Sequence, residues 1–286
     1  MQGNPPNVSS VMPAAPSLSD GEFELFRKLM HDTTGINLSP AKRALVAGRL
    51  SKRVRELGFA SYRDYFTWVT SNSRDPAAVA ERQTTIDLLT TNETYFFREP
   101  RHFEFLMQDI LPQWRGKRVR MWSAACSSGE EAYTLAMIMT LHGPSGWEVV
   151  GTDVSSRVLQ SASKGVYPLE RTKHIPEEYL KQCCLKGVGS KAGTFMIDAP
   201  LRQKVNFRYG NLMEDQAGLG QFELIMLRNV LIYFDREGKQ RVVRNVLKRL
   251  KPGGWLMVGH AESLNGVTDA VRTIKPSIYQ LAESVP

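Results

Sequence analysis

The sequence predicts an α/β protein: a doubly wound, Rossmann-like domain with a mainly parallel sheet and a small inserted β-subdomain, preceded by a small all-helical domain. Three observations predict it. Residues 18–88 carry helix signals only. Residues 100–286 alternate apolar, strand-like runs with helical periods, the pattern of a parallel sheet. The stretch 165–204 breaks that alternation, is too long for a loop, and carries its own apolar residues. A length of 286 residues fits two domains.

The elements follow in order. Residues 1–17, rich in Pro, Asn and Ser, read as a disordered tail. Ser19 and Asp20 cap a helix running to about His31. Ser39-Pro40 starts a second, with Ser as N-cap and Pro in the first turn, ending at Leu57 before Gly58. Ser61 and Asp64 make a capping box for a third, and Asp75-Pro76 opens a fourth that ends near Leu89. Residues 89–99 read as a linker. Beyond it, strands are expected at Val119–Ala124, Glu148–Asp153, Val205–Tyr209, Glu223–Leu227, Trp255–Gly259 and Ser277–Leu281. Helices are expected near 128–142, 155–164 and 236–250.

Composition narrows the function classes. With 42% apolar and 23% charged residues, the chain is an ordinary globular one, which excludes wholesale disorder and coiled coils. No apolar run approaches the ~18–20 residues of a membrane span. The N-terminus has no basic and no apolar segment of a signal peptide. The cysteines, Cys126, Cys183 and Cys184, allow neither a disulfide framework nor zinc spacing, so no metal is expected. Together these features predict a cytoplasmic protein. The net charge of +8 favours acidic partners without choosing among them.

The first strand ends in Ser123-Ala124-Ala125-Cys126-Ser127-Ser128-Gly129-Glu130-Glu131. Small residues between a strand and a helix let a ligand approach the backbone at the carboxyl edge of the sheet. The second strand ends in Asp153, 24 residues beyond Gly129, about where such folds place an acid against ribose hydroxyls. An adenosine-type cofactor is therefore expected. The G-x-G-x-x-G of a pyrophosphate site and the Walker lysine loop are both missing. Glu130 and Glu131 at the helix start would repel a pyrophosphate and suit a cation. S-adenosylmethionine, with a sulfonium and an ammonium and no phosphate, fits best. Each piece alone is also ordinary turn chemistry. Leu250-Lys251-Pro252-Gly253-Gly254 before a late strand adds a third, and the three in order carry the reading.

Longer strings are more specific. They are Thr90-Thr91-Asn92-Glu93-Thr94-Tyr95-Phe96-Phe97-Arg98-Glu99, Trp122 through Glu131, Gly210-Asn211-Leu212, Arg228-Asn229-Val230-Leu231-Ile232-Tyr233-Phe234-Asp235 and Gly259-His260-Ala261-Glu262-Ser263. With them the sequence resembles the chemotaxis receptor methyltransferases, the CheR family, over about residues 18–283. The resemblance implies a class I methyltransferase domain. It implies transfer of a methyl group from S-adenosylmethionine to glutamate carboxylates on chemoreceptor cytoplasmic helices. It places Asn92, Thr94, Arg98, Glu131, Asp153, Asn211, Leu212, Arg228, Asn229 and Tyr233 at cofactor-site positions, with Arg98 and Tyr233 beside the methyl group as catalytic candidates. Cys126 and Ser127 fall in variable small-residue slots. No D-P-P-Y loop or Pro-Cys nucleophile points to amine or cytosine methylation. His31, His102, His142 and His174 form no constellation in the sequence, and His260 receives no catalytic role.

Between Lys42 and Arg55 lie six basic residues and no acid. On a helical wheel Lys42, Arg49, Lys52 and Arg53 share one ~100° arc beside an apolar stripe of Val46, Leu50, Val54 and Leu57. The face is either simply solvated or a docking surface for acidic receptor helices, with Arg49, Lys52, Arg53 and Arg55 as contacts. In the inserted stretch, Thr194–Asp198 is the expected edge strand for a receptor C-terminal peptide, as in some relatives. Nothing in the sequence demands an oligomer. Two rivals stay open: a methyltransferase of the same fold acting on RNA or a small molecule, and an adapter that binds cofactor without turnover.

Overall fold

The computed structural model describes residues 16–71 and 75–282, so most of the expected tail lies outside the described residues. Four helices open the chain: α1 (Asp20–Thr34), α2 (Arg43–Glu56, after a 3-10 turn at Pro40–Lys42), α3 (Tyr62–Thr70) and α4 (Pro76–Leu89). Their starts follow local capping chemistry. Ser19 and Glu22 form a reciprocal capping box, the Ser61 hydroxyl accepts from the Asp64 N–H, and Asp75 caps α4 ahead of Pro76. The apolar faces meet in one core containing Phe26, Met30, Val46, Leu50, Val54, Tyr62 and Tyr65. Leu57, expected on the α2 stripe, is 39% exposed because it lies past the helix end.

The chain then forms α5 (Pro100–Phe105), continued by a π turn (Leu106–Ile110) and a 3-10 turn (Leu111–Trp114). The sequence reading has no element here, although Phe103, Leu106, Ile110 and Trp114 fall within about 80° of arc at ~100° per residue; the run is divided into three short pieces rather than one helix. There follow β1 (Val119–Ala124), α6 (Glu130–His142), β2 (Trp147–Asp153) and α7 (Ser156–Lys164). Next come β3 (Val166–Pro168), α8 (Glu177–Cys183), β4 (Cys184–Lys186), β5 (Thr194–Ile197) and α9 (Ala199–Arg202). The chain closes with β6 (Val205–Tyr209), β7 (Phe222–Leu227), α10 (Arg236–Leu247), β8 (Leu250–Val258), β9 (Val271–Lys275) and β10 (Ile278–Leu281).

The main sheet runs β6-β2-β1-β7-β8-β10-β9. Its first five strands are parallel, and β10 and β9 return antiparallel. This is the expected α/β class. The unforeseen strand is β9: it is an edge strand, partly or fully exposed along its length, so its residues do not alternate in polarity. The strand order reverses at β1, with β2 on one side and β7 on the other, so a crevice opens at their carboxyl ends.

The inserted stretch folds as a second sheet in the order β3-β5-β4, all antiparallel. This corrects the expected edge. Thr194–Ile197 is the central strand, hydrogen-bonded on both sides, and the free edges belong to β3 and β4. Alternating burial along β5 reads alike for a central or an edge strand. Only the strand order separates them.

Candidate active site

The loop after β1 is built for close approach. Ala125, Ser127 and Gly129 have φ of 64°, 50° and 96°. A Cβ on Gly129 would sit 2.9 Å from the Ala162 Cβ and 3.0 Å from the Phe207 ring, so glycine is required there. Asp153, at the end of β2, organises this loop. Its two oxygens accept from the Ser127 and Ser155 N–H groups, each at 2.9 Å. The carboxylate is buried yet borders the pocket. Burial raises its pKa, opposed by the backbone donors of Ser155 and Ser127.

Across the crevice, Arg228 at the end of β7 is the electrostatic hub. Its guanidinium reaches Glu131 at 3.0 Å, Glu99 at 2.9 Å and the Arg98 carbonyl. Ser123 Oγ donates to the other oxygen of Glu131 at 2.6 Å. Burial raises the pKa of Glu131, with Arg228 and Ser123 pulling against it. Burial would raise Glu99 too, but hydrogen bonds and charge from Arg228, with Asn229 and the His260 N–H, hold it at about 2. A buried carboxylate pair sharing one arginine is stable only because every oxygen is bonded. Glu262 fixes the neighbouring loop, accepting from the N–H groups of Gly259, Asn229 and Ile232 at 2.7, 2.8 and 3.3 Å.

Backbone strain gathers here. Phe97, Glu99, Ala125, Ser127 and Asn229 are five of the six described non-glycine residues with positive φ. Such conformations persist only where surrounding contacts over-determine them, as they do at ligand sites.

The helical domain closes the pocket. Thr34 at the end of α1, with Ile36, Asn37 and Leu38 beyond it, forms one wall. Asn211 Nδ2 donates to the Thr33 carbonyl at 2.7 Å, and the Asn37 N–H donates to the Tyr233 carbonyl at 2.8 Å. Gly35 (φ 74°) permits this approach: a Cβ there would lie 2.6 Å from Met213 Sδ. Asp87 on α4 accepts from Ser156 N, Ser156 Oγ and Arg157 N, capping α7 from the other domain. The sequence analysis has no place for Asp87, Glu99 or Glu262 in these roles. Glu99 and Glu262 lie inside the quoted motif strings, which is the only signal for them.

The structure brings Asn92, Thr94, Arg98, Glu131, Asp153, Asn211, Leu212, Arg228, Asn229 and Tyr233 onto this one pocket. Arg98 donates to the Glu93 carbonyl at 2.8 Å, and its guanidinium lies 5.7 Å from the Tyr95 ring. Tyr233 is half-buried. Burial raises its phenol pKa, opposed by Arg98, so it stays a donor. One expectation needs correction. Glu130 does not face the pocket; its buried carboxylate turns to Ser128 Oγ at 2.7 Å and Arg171 at 3.2 Å. Only Glu131 of the pair borders the ligand space. Cys126 is fully buried, and burial pushes its thiol well above its ordinary pKa, which disqualifies it as a nucleophile.

The four expected docking residues, Arg49, Lys52, Arg53 and Arg55, lie off the pocket and divide. Arg49 donates to the Leu88 and Thr90 carbonyls at 3.1 and 2.8 Å, capping the end of α4. Arg53 clasps the buried carboxylate of Glu81. Lys52 and Arg55 are exposed. The expected single basic face is therefore two, because α4 packs along one side of the arc.

A mainly parallel sheet reversing at β1, a glycine-bearing loop after β1 and an acid ending β2 define a class I methyltransferase fold. The comparisons agree. The CheR methyltransferase all-alpha domain matches residues 21–90, and the CheR methyltransferase SAM binding domain matches residues 92–279. Chemotaxis protein methyltransferase 2 of Pseudomonas aeruginosa is 37% identical over 91% of this chain and 93% of its own length. The chemotaxis protein methyltransferase of Escherichia coli is 34% identical over 93% of each chain. The chain belongs to the CheR methyltransferase family, and its second domain is a SAM-binding methyltransferase domain.

Proposed function

We propose that this protein transfers methyl groups from S-adenosylmethionine to glutamate side chains on the cytoplasmic helices of chemoreceptors, forming methyl esters for sensory adaptation. One observation carries the reading: Glu131 and Asp153, two fixed carboxylates, share a pocket with Arg98 and Tyr233. The cofactor fits these residues. The loop backbone is bared by Gly129, the acids suit an ammonium and ribose hydroxyls, and no lysine loop is built for phosphates. Asp153 would hold the ribose. Glu131, Arg98, Asn92 and Thr94 would hold the amino-acid and sulfonium portion, with Arg228 and Asn229 fixing Glu131 and the loop. Asn211 and Leu212 would border the base. When bound, the cofactor supplies a methyl group on a positively charged sulfur.

The chain's own residues then have little chemistry to do. A glutamate carboxylate is ionised at pH 7, its ordinary pKa being ~4.3, so no general base is required. The protein must orient the carboxylate and exclude water. Arg98 offers charge-assisted hydrogen bonds to it, and Tyr233 offers a neutral donor. The docking surface we propose is Lys52 and Arg55, with Lys42 at the pocket wall. Arg49 and Arg53 serve it by holding α2 against α4. A receptor peptide would add to the free edge of β4, beside exposed Leu185 and Val188, rather than to Thr194–Asp198. We place the protein in the cytoplasm as a monomer, recruited to receptor arrays.

The test is transfer of labelled methyl from S-adenosylmethionine to a purified receptor cytoplasmic fragment, followed by alkali. Alkali-labile label on glutamate is the expected result. Cofactor binding without transfer to any receptor fragment would return the RNA and adapter readings.

A further inference from the structure

A second cleft, distinct from the cofactor pocket, is lined by Arg101, His102, Glu104, Asp109, His260 and Lys275 among others. Beside it, Glu99 meets the two histidines of its lining. One ring nitrogen each of His102 and His260 and one carboxylate oxygen of Glu99 all lie within 4.8 Å of one another. The sequence reading finds no histidine constellation, because α5 and the end of β8 are brought together only by the sheet.

The protonation of His102 follows from its neighbours. Its side chain is 1% exposed. Its Nε2 is 2.7 Å from Ser277 Oγ, and the same hydroxyl lies 2.6 Å from the Pro276 carbonyl, to which it can donate. In the tautomer in which Ser277 donates to that carbonyl, Nε2 carries the ring proton and donates to Ser277 Oγ. That leaves the Nδ1 lone pair bare. Nδ1 has no hydrogen-bond partner, and it faces Glu99 Oε2 at 3.5 Å. Two acceptors facing each other in a buried place repel, and a cation between them would turn the repulsion into ligation. A histidine whose far nitrogen donates to an oxygen is also the usual arrangement for a metal ligand.

We propose that His102 Nδ1, His260 and Glu99 form a binding site for a divalent transition-metal cation of the zinc type. Tetrahedral ligands at ~2.0–2.1 Å from a metal stand roughly 3.4 Å apart. His260 is exposed and can swing to close the present spread. A fourth position faces the cleft and stays open to water. Glu99 links this site to the first one. The same Oε2 that would take the metal accepts from Arg228 at 2.9 Å, and Arg228 borders the cofactor pocket. Metal and cofactor affinities are thus coupled, and the coupling is reciprocal.

The experiment is titration of the untagged, chelator-treated full chain with Co²⁺ alone, followed by its visible d–d absorption, and with Zn²⁺ followed by histidine ring ¹⁵N NMR. One equivalent is expected to bind without thiolate charge-transfer bands. His260→Ala should weaken it at least tenfold, and His174→Ala, exposed and outside the cluster, should leave it unchanged. Because His102 variants risk misfolding, the His102 Nδ1 resonance of the unmodified protein must shift on Zn²⁺ addition. Absence of stoichiometric binding, binding indifferent to His260→Ala, thiolate bands, or an unmoved His102 Nδ1 would each overturn the site.

Discussion

Arg53→Ala should destabilise the helical domain rather than merely weaken receptor docking. In the fold, Arg53 Nε lies 2.9 Å from Glu81 Oε1, and a second bond runs from the same guanidinium to Oε2. Glu81 is 5% exposed, and among the described residues its carboxylate's other hydrogen bond comes from the Tyr65 hydroxyl at 2.9 Å. Removing the arginine strands a buried carboxylate. Breaking such a pair costs about 3–5 kcal/mol, and because the Arg53 side chain is 32% exposed, water can partly resolvate Glu81, which sets the expectation near the low end, about 3 kcal/mol. Global unfolding of two domains need not be two-state, so the assay is native-state hydrogen exchange at the amides of α2 and α4. Arg53→Met with Glu81→Leu, which removes both charges, should recover to within about 1 kcal/mol of the parent. Arg55→Glu, on the exposed side of α2, should leave exchange unchanged and slow receptor methylation in a salt-dependent way. If Arg53→Ala leaves α2 and α4 exchange within about 0.5 kcal/mol of the parent while methylation falls, the buried-pair reasoning fails and Arg53 belongs to the docking surface.

Asp153→Ala removes the acceptor for two loop N–H groups and the expected ribose ligand, so affinity for S-adenosylhomocysteine by calorimetry should fall at least ~100-fold, about 3 kcal/mol; retained binding would sink the ribose assignment. Among the described residues Arg98→Ala breaks a bond to the Glu93 carbonyl and the contact with Tyr95, so stability should change by less than about 1 kcal/mol while turnover drops by about 100-fold or more. Equal losses in both would make Arg98 structural. Burial raises all three cysteine thiols, Cys183 to about 11 and Cys184 to about 12. A raised thiol pKa means the reactive thiolate is scarce below it, so at pH 8 the native protein should alkylate far more slowly than the denatured chain, as mass spectrometry would show. Rapid alkylation of Cys126 in the native state would contradict the burial argument.

Much of the architecture is written in short-range chemistry. Ser19, Ser61 and Asp75-Pro76 start helices because a side-chain oxygen, or a missing N–H, resolves the orphan donors of the first turn within a few residues. The alternation of buried strands and amphipathic helices announces a parallel sheet. The small-residue loop and Asp153 announce its ligand edge. Those signals have periods of two and 3.6 residues, so a linear reading resolves them.

Local signals in the chain thus specify the class of fold, the helix caps, the cofactor loop and the strings of pocket residues. The tertiary structure decided which face of each residue mattered. Helical phase alone cannot say that α4 takes Arg49 and Arg53 and leaves Lys52 and Arg55 to solvent. Adjacent Glu130 and Glu131 point to different neighbours because consecutive helical positions lie ~100° apart. Strand order, fixed by long-range pairing, put β5 between β3 and β4 and hid β9 at a polar edge. Asp87 caps a helix of the other domain, and Glu99 meets Arg228 and the two histidines across the sheet. These contacts join residues far apart in the chain. Their energy comes from burial and paired charge that exist only once the domains have closed.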